Sequence, residues 1–162
     1  MNQLKKILFT AAAIFFVGTS VFATKEIVVA KDGSGNFKSI QEAINSLPAD
    51  ASVQRIIIIK NGTYNEKIFI DKNFITLKGE DREKTIISIA LARDEWRCEN
   101  PDDYGTATIN LKGSDITLEN LSFINSYGKD NRKDKTIVCT NDETKTKTIR
   151  PVTHQMALRS FA

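Results

Sequence analysis

Two ten-residue stretches of this chain carry the same pattern. Phe69-Ile70-Asp71-Lys72-Asn73-Phe74-Ile75-Thr76-Leu77-Lys78 aligns with Asn110-Leu111-Lys112-Gly113-Ser114-Asp115-Ile116-Thr117-Leu118-Glu119. Each has an apolar residue, a polar turn and then Ile-Thr-Leu. A recurring strand–turn–strand unit is what a solenoid produces, because every coil stacks on the next and buries a stripe that neither buries alone. Arg55 to Lys60 adds four consecutive isoleucines. A run apolar on successive positions suits a strand covered on both faces. The competing architecture is a β-sandwich, whose hairpins usually alternate polar and apolar residues.

Further strands are expected at Glu26 to Ala30, Lys67 to Ile70, Phe74 to Lys78, Thr85 to Ser88, Thr106 to Leu111 and Ile116 to Ile124, each bounded by Asp, Asn, Gly or Lys. One helix is expected. Ser39 with Glu42 has capping-box spacing, Ile40, Ala43, Ile44 and Leu47 share a face, and Pro48 marks the end. Laid across the open end of a solenoid, such a helix covers unpaired strand edges. Packing on one face of an α+β sheet is the alternative.

Residues 1–23 read as a secretory signal: Lys5 and Lys6, an apolar run from Ile7 to Val17, then small residues ending Val21-Phe22-Ala23. Cleavage is expected after Ala23, leaving 24–162 as one domain in a secreted or periplasmic protein; an uncleaved anchor is the alternative. Lys5 and Lys6 are the only charges in that segment, so the formal +3 falls to +1 without it. That balance gives no support to nucleic-acid binding. Export would place Cys98 and Cys139 where a disulfide is allowed. They form one possible pair, between polar loop-like segments; two free thiols is the other reading. Neither has a second ligand at metal-binding spacing, so no metal is expected. Ala92 to Tyr104 and Gly128 to Arg150 read as long surface loops, the second with a modest basic excess that suits a solvated loop better than a polyanion contact.

The opening Val28-Val29-Ala30-Lys31-Asp32-Gly33-Ser34-Gly35-Asn36-Phe37-Lys38-Ser39-Ile40-Gln41-Glu42-Ala43 resembles the start of the pectin methylesterase domain. Gly62-Thr63-Tyr64-Asn65-Glu66 is similar to that family's Gly-x-Tyr-x-Glu motif. Thr106-Ala107-Thr108-Ile109, the strand from Asn120 to Asn125, and His154-Gln155-Met156-Ala157-Leu158-Arg159 continue the match in order. The resemblance covers residues 27 to 160 apart from the two loops.

The resemblance implies an all-β right-handed parallel β-helix, a pectin-lyase-like solenoid with a short N-terminal capping helix, truncated at its C-terminal side. It implies hydrolysis of methyl esters of polygalacturonate, with pectin as partner, no cofactor and a monomeric state. In the family one aspartate attacks the ester carbonyl, a second serves as acid and then base, an arginine orients the nucleophile, and glutamine amides hold the oxyanion. Gln155 matches the first of those glutamines and is the one position carried over, as oxyanion stabiliser and substrate contact. Thr106 or Thr108 is placed near the cleft. His154 is a neighbour of Gln155 without a catalytic role. Tyr64 is expected to pack and Glu66 to bond to backbone. The family's aspartates and arginine fall beyond Ala162, and Asp71, Asp81, Asp94 and Asp115 do not stand in for them, so the chain alone is expected to be inactive. The alternative is a non-catalytic pectin-binding β-helix module.

Overall fold

The structure is a computed structural model that describes residues 26–100, 102, 104–139, 146–150 and 155–161. The proposed signal segment and His154 lie outside those residues.

After a first strand, β1 (Ile27–Val29), and a helix, α1 (Ile40–Ser46), the chain winds in coils of three short strands. The first coil is β2 (Arg55–Ile59), β3 (Gly62–Tyr64) and β4 (Ile68–Ile70). The second is β5 (Ile75–Gly79), β6 (Thr85–Ile89) and β7 (Ala107–Leu111). β8 (Ile116–Glu119) and β9 (Ser122–Asn125) begin the third. An antiparallel hairpin, β10 (Lys135–Val138) and β11 (Thr146–Ile149), interrupts it before β12 (Met156–Ser160) completes it. Corresponding strands stack in parallel into three sheets, ordered β1-β2-β5-β8, β3-β6-β9 and β12-β7-β4. This is a parallel β-helix.

The sequence repeat is the register of the stack. Ile75, Thr76 and Leu77 lie directly beside Ile116, Thr117 and Leu118, and Phe69 and Ile70 beside Asn110 and Leu111. The turns repeat too: Phe74 and Asp115 both adopt left-handed φ, 54° and 55°. Identical residues recur because each position faces its own counterpart one coil later.

Ile57, Ile59, Ile68, Ile70, Ile75, Leu77, Ile87 and Ile109 are fully buried in a continuous interior, with Tyr64 among them. The isoleucine run differs from the expectation of cover on both faces. Ile57 and Ile59 point inward and are buried, whereas Ile56 and Ile58 are only half-buried, because alternate side chains of a solenoid strand face outward. The expected strand from Ile116 to Ile124 is two strands. Asn120, at φ 50°, turns the corner between them, and Gly79 beneath it leaves room: a Cβ there would collide with the Asn120 carbonyl.

α1 closes the end of the helix. Ile40, Ala43 and Ile44 are buried in the shared core. The Ser39 hydroxyl accepts the Glu42 N–H at 3.3 Å. The carboxylate at the helix start, however, comes from Glu66, which accepts the Ser39 hydroxyl at 2.7 Å and the N–H groups of Ile40 and Gln41 at 3.1 Å each. At the other end the Lys72 ammonium donates to the carbonyls of Ile44, Asn45 and Leu47. The residues flanking β4 thus place a negative charge at the N-terminus of α1 and a positive one at its C-terminus, as the helix dipole favours. The Gln41 amide accepts the Phe69 N–H at 2.7 Å and donates to the Phe69 carbonyl at 3.1 Å. It occupies the free edge of β4 as a neighbouring strand would.

Candidate functional site

Both long insertions leave the helix at the same corner, between the β3-β6-β9 sheet and the β12-β7-β4 sheet. The first runs from β6 through a short helix, α2 (Arg93–Arg97), and a 3-10 turn at Tyr104–Thr106. The second runs from β9 through α3 (Tyr127–Asp130) and the β10–β11 hairpin. They are not independent surface loops. Ala92, Tyr127 and Ile149 are buried together, with Ile137 packed against them, in a small core of their own. A disulfide joins Cys98 to Cys139. Lys135 pairs with Glu95, and Lys147 lies 3.8 Å from Asp94. The Glu95 carboxylate pushes the Lys135 amine above its ordinary range.

Gln155 stands at the foot of β12. It is half-buried, and its Oε1 accepts the Gly128 N–H of α3 at 2.9 Å. A backbone N–H can be accepted only by the oxygen end of an amide, which fixes the orientation of the group. Among the described residues nothing accepts from its Nε2. The second insertion therefore holds the amide by its oxygen and leaves its two donors available.

The threonines differ from one another. Thr106 ends the 3-10 turn. Thr108 is buried and donates its hydroxyl to the Ile124 carbonyl at 3.0 Å, a structural bond between β7 and β9. Tyr64 is buried, and its hydroxyl donates to the Lys60 carbonyl at 2.9 Å.

The structure adds a feature that sequence reasoning missed. On the outer side of β4, Lys67, Phe69, Trp96, Asp102, Tyr104 and Gln41 line a cavity of about 460 Å³. The Lys67 ammonium donates to the Ala107 carbonyl at 2.5 Å and lies 5.1 Å from the centre of the Trp96 ring. Burial pushes its pKa down to about 8, against the opposing pull of Asp102. Asp102 accepts the Trp96 Nε1–H at 2.6 Å and the Tyr104 N–H at 2.9 Å. Tyr104 packs edge-on against Phe69 and Phe161. The signal in the sequence was Trp96, the single tryptophan, in an otherwise polar insertion. Strand register relates this cavity to Gln155: Met156, its chain neighbour, pairs with Ala107, whose carbonyl holds Lys67. The lysine and the amide flank the same end of β7.

Comparison with known proteins agrees with this architecture. The pectinesterase family model matches residues 26–162. Pectinesterase A of Dickeya chrysanthemi is 35% identical over 135 residues, which cover 77% of this chain and 36% of that protein. The pectin methylesterase from carrot superposes with a TM-score of 0.60 at 25% identity, over 88% of this chain and 37% of that one. A pectin methylesterase in complex with a hexasaccharide superposes with a TM-score of 0.60 at 32% identity, over 83% and 38%. The chain thus spans little more than a third of the length of these relatives. With a family match over nearly its whole length and the stacked three-strand coils to go with it, this chain belongs to the pectinesterase family.

Proposed function

We propose that these coils form the N-terminal part of an exported pectin methylesterase and that Gln155 donates to the oxyanion formed when a methyl ester of polygalacturonate is attacked. The observation that carries this reading is the amide pinned by its oxygen to the Gly128 N–H. Fixed N–H donors stabilise developing negative charge without reorganising as the reaction proceeds. Support for pectin as substrate comes from family membership and from the hexasaccharide complex of a structural relative.

In this reading the attacking aspartate, the acid–base aspartate and the orienting arginine are not among these 162 residues. The chain alone binds pectin and releases no methanol from it. Methanol release by the purified 162 residues would overturn that division of labour. In an enzyme containing this segment, Gln155→Leu lowers kcat by about 10²- to 10³-fold with little change in KM; an unchanged kcat would remove Gln155 from the mechanism. A non-catalytic pectin-binding module is the second reading, favoured by the aromatic-lined cavity beside β4; it predicts pectin retention with no methanol release even from the complete protein.

A further inference from the structure

The cavity beside β4 sets a cation among aromatic walls. Its walls are mostly apolar rings, Phe69, Trp96 and Tyr104, yet an ammonium group opens into it. Among the described residues Lys67 has one hydrogen-bond acceptor, the Ala107 carbonyl. An ammonium carries three donors, and a half-buried one with two left over is a standing demand for an acceptor, best met by an anion. Lys112 adds a second cation beside the cavity, 5.5 Å from the Tyr104 ring centre. Asp102 is the acid in the lining, and it faces two N–H donors, from Trp96 and Tyr104. Flat aromatic walls suit the apolar face of a sugar ring.

We infer that this cavity is a subsite for a sugar ring bearing a free carboxylate, in which Lys67 reads the carboxylate and Trp96 and Tyr104 hold the ring. The inference rests on the pectin reading and deepens it, because it makes the site distinguish an unesterified galacturonate from its methyl ester. A methyl ester keeps the carbonyl acceptor and loses the negative charge, so it accepts a hydrogen bond from the ammonium but forms no ion pair with it. Position supports the assignment. Sheet neighbours are about 4.8 Å apart, so an oligosaccharide lying across β4, β7 and β12 reaches from Lys67 to Gln155. Lys67 is then a specificity-determining residue and takes no part in bond breaking.

Trp96 makes the test direct, since it is the only tryptophan of the chain and lines the cavity. Its fluorescence is followed while the chain is titrated with unesterified oligogalacturonate and, separately, with fully methyl-esterified oligogalacturonate. The acid form is expected to shift the emission and to bind about tenfold or more tighter than the ester. Lys67→Met brings the acid form down to the affinity of the ester. In the unaltered chain, raising the pH from about 6 to about 9.5 weakens the acid form more than the ester, because the lysine, whose pKa burial brings down to about 8, loses its proton and with it the ion pair. That comparison needs no variant to fold. Equal affinity for acid and ester, or no effect of pH on their ratio, overturns the subsite. A silent Trp96 overturns it as well; if pectin beads still retain the chain, the pectin reading stands, and if they retain nothing, both fail.

Discussion

The carboxylate of Glu66 accepts the hydroxyl of Ser39 across 27 residues of sequence, at 2.7 Å. The capping residue of α1 is therefore tied to the first coil, and the lid of the solenoid and its wall are one hydrogen-bonded unit. Glu66→Ala strips the acceptor from the Ser39 hydroxyl and from the Ile40 and Gln41 N–H groups. A loss of about 1–2 kcal/mol is expected, as for removal of a strong helix cap, read from urea denaturation. Ser39→Ala, which leaves the backbone contacts of Glu66 in place, costs less.

Cys98 and Cys139, separated by 41 positions, cross-link the two insertions. Replacing both with serine is expected to lower stability by about 2–4 kcal/mol. The damage concentrates in the small core of Ala92, Tyr127 and Ile149. Limited proteolysis checks this: cleavage between residues 128 and 150 accelerates well before the coils are cut.

Gly105 lies directly under Trp96, and a Cβ there would overlap the indole attachment. Gly105→Ala must displace the tryptophan, at a cost of about 1–3 kcal/mol for overpacking. The expected signature is a red-shifted Trp96 emission in a chain whose far-ultraviolet circular dichroism is unchanged.

Asp115 holds a left-handed backbone at φ 55° on an exposed turn. Asp115→Gly is expected to change the melting temperature little. Asp115→Val, whose branched Cβ opposes that conformation, costs about 1–2 kcal/mol. Equal effects of the two would show that the turn relaxes to another backbone.

Lys67 couples stability to pH with a defined sign. Its folded pKa, about 8, lies below the ordinary 10.5, so between those values the unfolded chain binds more protons. Stability gained from this group therefore rises with pH across that window. Lys67→Met lacks the effect, and the difference in melting temperature, variant minus wild type, is expected to fall as pH is raised from 8 towards 10.5. A flat difference would mean the amine is solvated.

The stacking was legible because a coil imposes the same demand on the residue above it, so Ile75-Thr76-Leu77 reappears as Ile116-Thr117-Leu118. β3 was not, since Gly62-Thr63-Tyr64 is too short to show a period and begins with a glycine. The corner at Asn120 was hidden inside an apolar run, because one left-handed residue leaves no pattern. The insertion core escaped notice because Ala92, Tyr127 and Ile149 are far apart in sequence and meet only once the insertions pack together. Gln155 was visible through its motif alone, and its anchor, the Gly128 N–H, belongs to backbone geometry that no side chain announces. Lys67 looked like any strand-edge lysine until Trp96 folded over it.

Both insertions depart from one seam of the spool, while the other two corners of each turn stay short. Parallel ladders on either side hold the pitch regardless of how much chain passes between them. Length gained or lost at that seam re-shapes the rim beside the β12-β7-β4 sheet without rewinding a single turn. A protein built this way can exchange the furniture of its groove by local genetic change while the frame around it is inherited intact.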